Sequence, residues 1–341
     1  MYLLELKGSN HALAVAEADA VGELVDEGRG YALVREPDVT RRLAGSHRVS
    51  RFLGESGAGV GGSGEGAVGE SAGGSVEETI GAAVEAARGL GVSFDGSFAV
   101  RARVHGDGPS SAELERRVGG VFAERARVDL DSPDDVVRVV VSEGRVLLGL
   151  EVCETEGFEG RAPTEKPFFK PGSMSPALAR ALSNIAGGYG GATLLDPMCG
   201  TGGVLVESAL VGGRAVGGDA SREMVEGARV NLREFCDGVG ELFVGDGRSL
   251  PLDDSSVDCA VTDLPYGRAS HVEGGSAESV ARGVLGELCR VVRDSGRVVA
   301  VSDGWLDETA RSVGFEVVDR FEDRVHRSLT RRIVVLSVRD A

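Results

Sequence analysis

The sequence predicts an α/β protein in two parts. From about residue 191 it reads as a doubly wound sheet closed by an antiparallel edge hairpin, and the region before it reads as mixed α+β. Three observations carry this. From residue 192 short apolar strands alternate with amphipathic helices, the rhythm of a parallel sheet covered on both faces. The last two strand patterns, FEVVDRFEDRV and RRIVVLSV, have no helix between them, so that pair is expected to run antiparallel. Ahead of residue 160 the order is instead helix, strand, helix, strand, strand, a compact mixed domain.

Taken in order, VAEADAVGELVDEG reads as a helix and YALVR as a short strand. Residues 54–75 hold ten glycines in twenty-two and almost no bulky apolar group, the composition of a flexible loop. SVEETIGAAVEAARGL is amphipathic, and SFAVRARV alternates as a half-buried strand should. SSAELERRVGGVFAERA opens with a serine at an N-cap position and a glutamate in the first turn. DDVVRVVVSEG and RVLLGLEV form a hairpin-like pair about Glu143 and Gly144. The later half then runs ATLLD, GVLVESALVG, RAVGGD, SREMVEGARVNLREF, ELFVGD, VDCAVTD, AESVARGVLGELCRVV, RVVAVSD and DETARSVG, strand and helix by turns.

Composition bounds the function. At 341 residues the chain suits two domains. Its 42% hydrophobic and 27% charged residues are enough to bury a core. With 5% aromatics and 52 glycines, that core must lean on Val, Ala and Leu. No run approaches the roughly 18 apolar residues of a membrane span. MYLLELKGSN lacks the basic start and apolar stretch of a signal peptide. A cytoplasmic protein with no membrane partner is the expectation. Fifty-four acids against 37 bases give −17, and only Lys7, Lys166 and Lys170 are lysines. A dense acidic surface stays hydrated where salt screens charge, which points to a high-salt cytoplasm. A GC-rich genome also favours Arg, Ala, Gly and Val, but alone it need not produce the acidity. The five cysteines show no CxxC and the five histidines no HExxH, so neither a disulfide framework nor a metal site is expected.

The chemistry concentrates at strand ends. Asp196-Pro197-Met198-Cys199-Gly200-Thr201-Gly202-Gly203 joins the first strand of the later half to its first helix. Glycines there let the backbone turn tightly and let a ligand approach without a Cβ in the way. Asp219 ends the next strand, where an acid gripping ribose hydroxyls belongs, and Asp246 ends the third. A nicotinamide fingerprint would face a pyrophosphate, which a leading Asp repels. An adenosine carrying a sulfonium and an amino group suits three carboxylates better. The fourth strand ends Thr262-Asp263-Leu264-Pro265-Tyr266-Gly267. There a carboxylate and a backbone carbonyl can accept from an exocyclic amine while the Tyr266 ring stacks on the base.

These motifs resemble the class I S-adenosylmethionine-dependent methyltransferases that methylate amines, whose fourth motif is (D/N)PP(Y/F). DPMCGTGGVLVE resembles the version found in RNA guanine-N2 methyltransferases, and Lys166–Pro176, KPFFKPGSMSP, resembles a segment that precedes the domain in that group. VHRSLTRRIVVL is similar to its closing strands, and SFAVRARVHGDG to VVVSEGRVLLGLEV is similar to a THUMP domain, an RNA-binding module. The nearest resemblance is to the archaeal tRNA (guanine-10-N2)-methyltransferase family. It implies a seven-stranded Rossmann-like methyltransferase domain over 191–341, a linker with the pre-motif segment over 156–190, a THUMP domain over 46–155 and a ferredoxin-like segment over 1–45. It implies S-adenosyl-L-methionine as cofactor, held by Phe169, Ser175, Asp196, Pro197, Cys199, Gly200, Thr201, Gly202, Gly203, Asp219, Asp246 and Gly247. Asp263, Pro265 and Tyr266 would be catalytic. It also implies tRNA as partner, guanosine 10 as the methylated site, and in some relatives a small zinc-binding activator subunit.

One departure stands out: Leu264 replaces the first proline of the fourth motif. Its carbonyl is retained, but the stiffening by proline is lost, which predicts a looser pocket. Methylation of another tRNA or ribosomal RNA guanosine, or a catalytically silent RNA binder, are the alternative readings. RNA contacts are expected at Arg41, Arg42, Arg48 and Arg51, at Arg101 and Arg103 alternating on a strand, and at Arg327. The first four and Arg327 lie in runs without an acid in an acid-rich chain.

Overall fold

The computed structural model describes residues 1–38, 42–57, 75–155, 157–238, 240–265 and 276–338. In chain order the first half holds β1 (Tyr2–Leu6), α1 (His11–Val21), β2 (Glu23–Gly28), β3 (Tyr31–Arg35), β4 (Ser46–Gly57), α2 (Val76–Gly89), β5 (Ser97–His105), α3 (Ser111–Phe122), β6 (Arg127–Val128), β7 (Asp135–Ser142) and β8 (Arg145–Glu154). The second half holds α4 (Pro176–Ala186), β9 (Thr193–Asp196), α5 (Gly203–Leu210), β10 (Arg214–Asp219), α6 (Arg222–Cys236), β11 (Glu241–Val244), β12 (Cys259–Asp263), α7 (Ala277–Val291), β13 (Arg297–Ser302), α8 (Asp307–Ser312), β14 (Phe315–His326) and β15 (Leu329–Val338).

Two compact units result. The first carries an eight-stranded sheet in the order β2-β3-β1-β4-β8-β7-β5-β6. β1 pairs antiparallel with β4, so residues on both sides of position 45 share that sheet. Helices α2 and α3 close an apolar cluster on it around Phe98, Phe122 and Val139. Ser75 and Glu78 form a capping box that starts α2, and Ser110 caps α3. β4 runs through Gly57, so the first residues of the glycine-rich stretch are strand; residues 58–74 lie outside the described residues.

The segment VAEADAVGELVDEG is not one helix. α1 stops at Val21, and Glu23–Gly28 pairs antiparallel with β3. A Cβ at Gly22 would lie 2.5 Å from Val34 Cγ1 and 2.8 Å from Arg35 O, so the chain breaks at a glycine that the neighbouring strand approaches closely. β5 is buried at every residue over Ser97–Val100 rather than alternating.

The second unit, which also takes in α1 and residues 42–45, carries a seven-stranded sheet in the order β11-β10-β9-β12-β13-β15-β14. β9 to β13 are parallel, and β15 pairs antiparallel with both β13 and β14. Each face has its own apolar cluster. Leu194 and Val299 belong to one with α4 and α5, while their neighbours Leu195 and Val298 belong to the other with α7. That alternation is the pleat of a sheet covered on both sides.

The 156–190 segment holds a full helix, α4, started by Ser175 with Pro176 in its first turn and stopped by Gly187 at φ +90°. Arg180 of α4 is 1% exposed and donates to Glu207 at 2.6 Å, and Arg161 reaches the same carboxylate at 2.9 Å. Glu17 of α1, also buried, accepts from the N–H groups of Ala44 and Gly45 and from Asn184 Nδ2 at 2.9, 2.6 and 2.7 Å. Among the described residues no helix is long and apolar enough to cross a membrane.

Candidate active site

Because β9, β10, β11 and β12 are parallel, their C-terminal ends emerge along one edge of the sheet. Asp196, Asp219 and Asp263 are the last residues of β9, β10 and β12, and Asp246 follows β11 by two residues. The strand order reverses between β9 and β12, and ligands bind such sheets in the crevice at that switch.

The turn after β9 is built on two left-handed glycines, Gly200 at φ +49° and Gly202 at φ +77°. Cys199 N donates to Gly218 O at 2.8 Å, and Gly202 N to Cys199 O at 2.7 Å. A Cβ at Gly202 would lie 2.9 Å from the Ala228 Cβ, so the turn rests on α6. Asp219 accepts from Gly200 N at 3.0 Å with one oxygen and from Ser221 N at 2.8 Å with the other. Ser221 in turn caps α6.

Asp196 is 3% exposed and accepts from Met198 N at 3.1 Å. Burial holds its carboxyl well above the usual range, and the charges of Asp263 and Asp219 push the same way. Burial likewise raises the Cys199 thiol. Asp246 is paired with Arg248 at 2.6 Å, and that hydrogen bond holds its carboxyl below the usual range.

A cleft of about 480 Å³ opens on this edge, lined by Pro197, Met198, Asp219, Ala220, Ser221, Asp246, Gly247, Arg248, Pro265 and Val280. Five residues expected from sequence are therefore on its wall: Pro197, Asp219, Asp246, Gly247 and Pro265. Asp196, Cys199, Gly200, Thr201, Gly202 and Gly203 form the turn behind it. The Ser175 hydroxyl is used in capping α4, and Phe169 is 38% exposed. Tyr266 lies outside the described residues. Sequence reasoning missed Met198, Ala220, Ser221, Arg248 and Val280. Ser221 had a signal as an N-cap two residues after a strand-end acid; Val280 had none.

The KPFFKPGSMSP segment is seated against the glycine turn by Asn231, also missed. Asn231 is fully buried, accepts from Phe168 N at 3.0 Å, and donates to Phe168 O at 2.9 Å and Thr201 O at 2.8 Å. The Phe168 ring covers Gly227 of α6, where a Cβ would lie 2.0 Å from its Cδ1. Ser173 Oγ lies 3.3 Å from Thr201 Oγ1.

Leu264 itself is anchored. Its N–H donates to Val301 O at 2.9 Å, and its side chain is 2% exposed in the apolar cluster with Val280 and Val284.

The arginines are more engaged than their spacing suggested. Strand pairing brings Glu151 to 3.5 Å from Arg48 and also pairs it with Glu154, so this run lacks acids only along the chain. Arg42 accepts from Arg180 through its carbonyl at 3.0 Å, and Arg101 donates to Leu130 O at 2.6 Å. Arg51 and Arg327 are exposed, the latter beyond the end of β14. Arg103 is half-buried beside His47 and His105, whose imidazoles are pushed down first by burial and then by its charge. Arg41 lies outside the described residues.

Comparison with known proteins places these features. The model for the RMKL-like methyltransferase domain matches residues 163–333, and that for the THUMP domain matches 76–151. The chain is 35% identical to a tRNA (guanine(10)-N2)-dimethyltransferase of Methanothermobacter thermautotrophicus over 92% of this chain and 90% of that one. It is 28% identical to the protein of the same name from Pyrococcus abyssi over 99% and 100% of the two. In fold it is similar to TrmN from Thermus thermophilus, with a TM-score of 0.52, 24% identity and 99% of both chains covered. A second solved chain, complexed with SAH, has a TM-score of 0.51 at 12% identity, covering 100% of this chain and 98% of that one.

Proposed function

This chain belongs to the RMKL-like methyltransferase family and to its THUMP-bearing branch of tRNA (guanine(10)-N2)-dimethyltransferases, and we propose that it methylates the N2 amine of guanosine 10 in tRNA. It is an S-adenosylmethionine-dependent tRNA guanine-N2 methyltransferase, and the choice of position 10 and the addition of a second methyl are our reading. The observation that carries the reading is at Pro265, two residues past Asp263. Pro265 lines both the cleft of about 480 Å³ and a second cavity of about 740 Å³, so a donor site and an acceptor site meet just past the end of the strand that Asp263 closes.

The cleft fits S-adenosylmethionine. Asp219 and Asp246 offer carboxylates to hydroxyl and ammonium groups, and Pro197, Met198 and Val280 offer apolar walls to a purine. Gly200, whose Cβ position has open space around it, lets a ligand come close to the backbone. When bound, the cofactor supplies a methyl carbon made electrophilic by its sulfonium.

The chain's own part is to prepare the amine. The guanine N2 lone pair is delocalised into the ring and is a poor nucleophile. Asp263 and the Leu264 carbonyl accept its two hydrogens, which localises the lone pair and fixes its direction. Asp263 then takes or relays the proton released as nitrogen gains its new bond. The buried Leu264 side chain and its N–H bond to Val301 hold that carbonyl in place.

The test is a nucleoside analysis of unmodified tRNA incubated with the protein and labelled S-adenosylmethionine in molar potassium salt. N2-methylguanosine or N2,N2-dimethylguanosine, lost when G10 is replaced, supports the reading. N6-methyladenosine would mean that the pocket takes a different base. No label from folded protein would leave the silent binder, unless added cell extract restored activity and so revealed an activator subunit. Asp263→Ala is expected to slow turnover by about 10²–10⁴-fold with cofactor affinity retained.

A further inference from the structure

Trp305 is the single tryptophan of a chain with only 5% aromatics, and it is 45% exposed. It stands in the loop between β13 and α8 and lines the cavity of about 740 Å³ whose wall also includes Leu264 and Pro265. The Arg332 guanidinium lies over its ring, 5.5 Å from the centroid. Arg332 is itself fixed, donating to Asp303 O at 2.7 Å and lying 3.5 Å from Glu322. The indole is therefore braced on one side and open to a cavity that contains the end of the catalytic strand. An indole kept for packing would be buried; a braced, exposed one is built to stack.

Charge around the cavity selects the end of a nucleotide that enters it. Glu278, Asp303, Asp307 and Glu308 are on its wall against Arg311 and Arg320, both of which Asp307 holds, so the wall is net negative and would repel a phosphate. The hairpin β14–β15, which carries Arg332, has no acid from Arg324 to Arg332, and Arg324 and Arg327 are exposed. Base in the cavity and backbone on the hairpin is the arrangement these charges favour.

We propose that Trp305, braced by Arg332, is the stacking platform for a nucleobase of the substrate RNA and sets the affinity for RNA rather than for cofactor. The inference rests on the RNA-methylating reading above. The base is either the methylated guanine or its neighbour on the strand, and both stack by the same chemistry.

As the sole tryptophan, Trp305 reports on itself. Its emission is expected to fall when the protein is titrated with unmodified tRNA in the presence of S-adenosylhomocysteine, and not with heparin at equal charge. Trp305→Ala should raise KM for tRNA about tenfold, with kcat changed less and cofactor affinity unchanged, and Trp305→Phe should recover most of the loss. An abasic tRNA lacking the target base distinguishes the two sources: quenching lost assigns the target, and quenching kept assigns the neighbour. Unchanged emission at saturating tRNA, equal quenching by heparin, or a wild-type KM in Trp305→Ala would overturn the proposal while wild-type protein still methylates tRNA. Absence of methylation by wild type would instead overturn the parent reading.

Discussion

The backbone N–H of Gly200 donates to the Asp219 carboxylate across 3.0 Å, tying the glycine turn after β9 to the end of β10. Asp219 is thus a structural clamp as well as a wall of the cleft proposed for the cofactor, since its second oxygen holds Ser221 N at 2.8 Å. Removing it frees the turn and deletes an acceptor at once. Asp219→Ala is expected to weaken S-adenosylmethionine binding by at least about tenfold, with Asp219→Asn intermediate. Titration calorimetry measures this, and equal affinity in all three proteins would contradict it.

Asn231 makes three hydrogen bonds from a fully buried position, two to Phe168 and one to Thr201. Asn231→Ala leaves those backbone groups without their partner, at roughly 1–3 kcal/mol for each group stranded. Both the unfolding midpoint and cofactor affinity are expected to fall, because the KPFFKPGSMSP segment and the turn lose their common anchor. A variant that lost stability with unaltered cofactor affinity would show that the segment does not support the cleft.

Leu264→Pro restores the residue expected in the fourth motif and is nevertheless expected to harm this chain. Proline has no N–H to give to Val301 O and fills less of the site where Leu264 is 2% exposed. A loss of about 1–3 kcal/mol in denaturant unfolding is expected, with kcat/KM no higher than wild type. A more active or more stable variant would mean that the leucine is the weaker solution.

Asp196 makes stability depend on pH. Its carboxyl is raised in the fold by burial and then by Asp263 and Asp219, so the folded chain holds a proton that the unfolded chain releases. The stability this contributes is fully present below the unfolded carboxylate range and is lost as pH rises through the folded value. Asp196→Asn keeps an oxygen for Met198 N and cannot titrate. Without cofactor, its melting temperature relative to wild type is expected to climb with pH and to be higher by at least about 2 °C at pH 8. Parallel melting curves across the range would refute the assignment.

Much of the second unit was legible because its signals are local. Alternating strands and helices and the glycines at 200 and 202 lie within a turn or a few residues of what they specify. The same holds for the strand-end acids. α4 lies in the segment expected to be a linker, and Ser175, Pro176 and Gly187 are the local signals that mark both its ends. The break at Gly22 was missed because its cause, the approach of Val34 and Arg35, belongs to another strand.

By itself the sequence determined the alternation of strands and helices after residue 192, the tight turn and the acids that follow the strands, since backbone propensity and hydrophobic period act over neighbouring residues. Only the tertiary structure decided which side chains are free to act. It set Glu151 beside Arg48, Asn231 between Phe168 and Thr201, and Arg332 over Trp305. Those partners are far apart along the chain, and a hydrogen bond or ring contact between distant residues leaves no period, cap or spacing for a sequence to show.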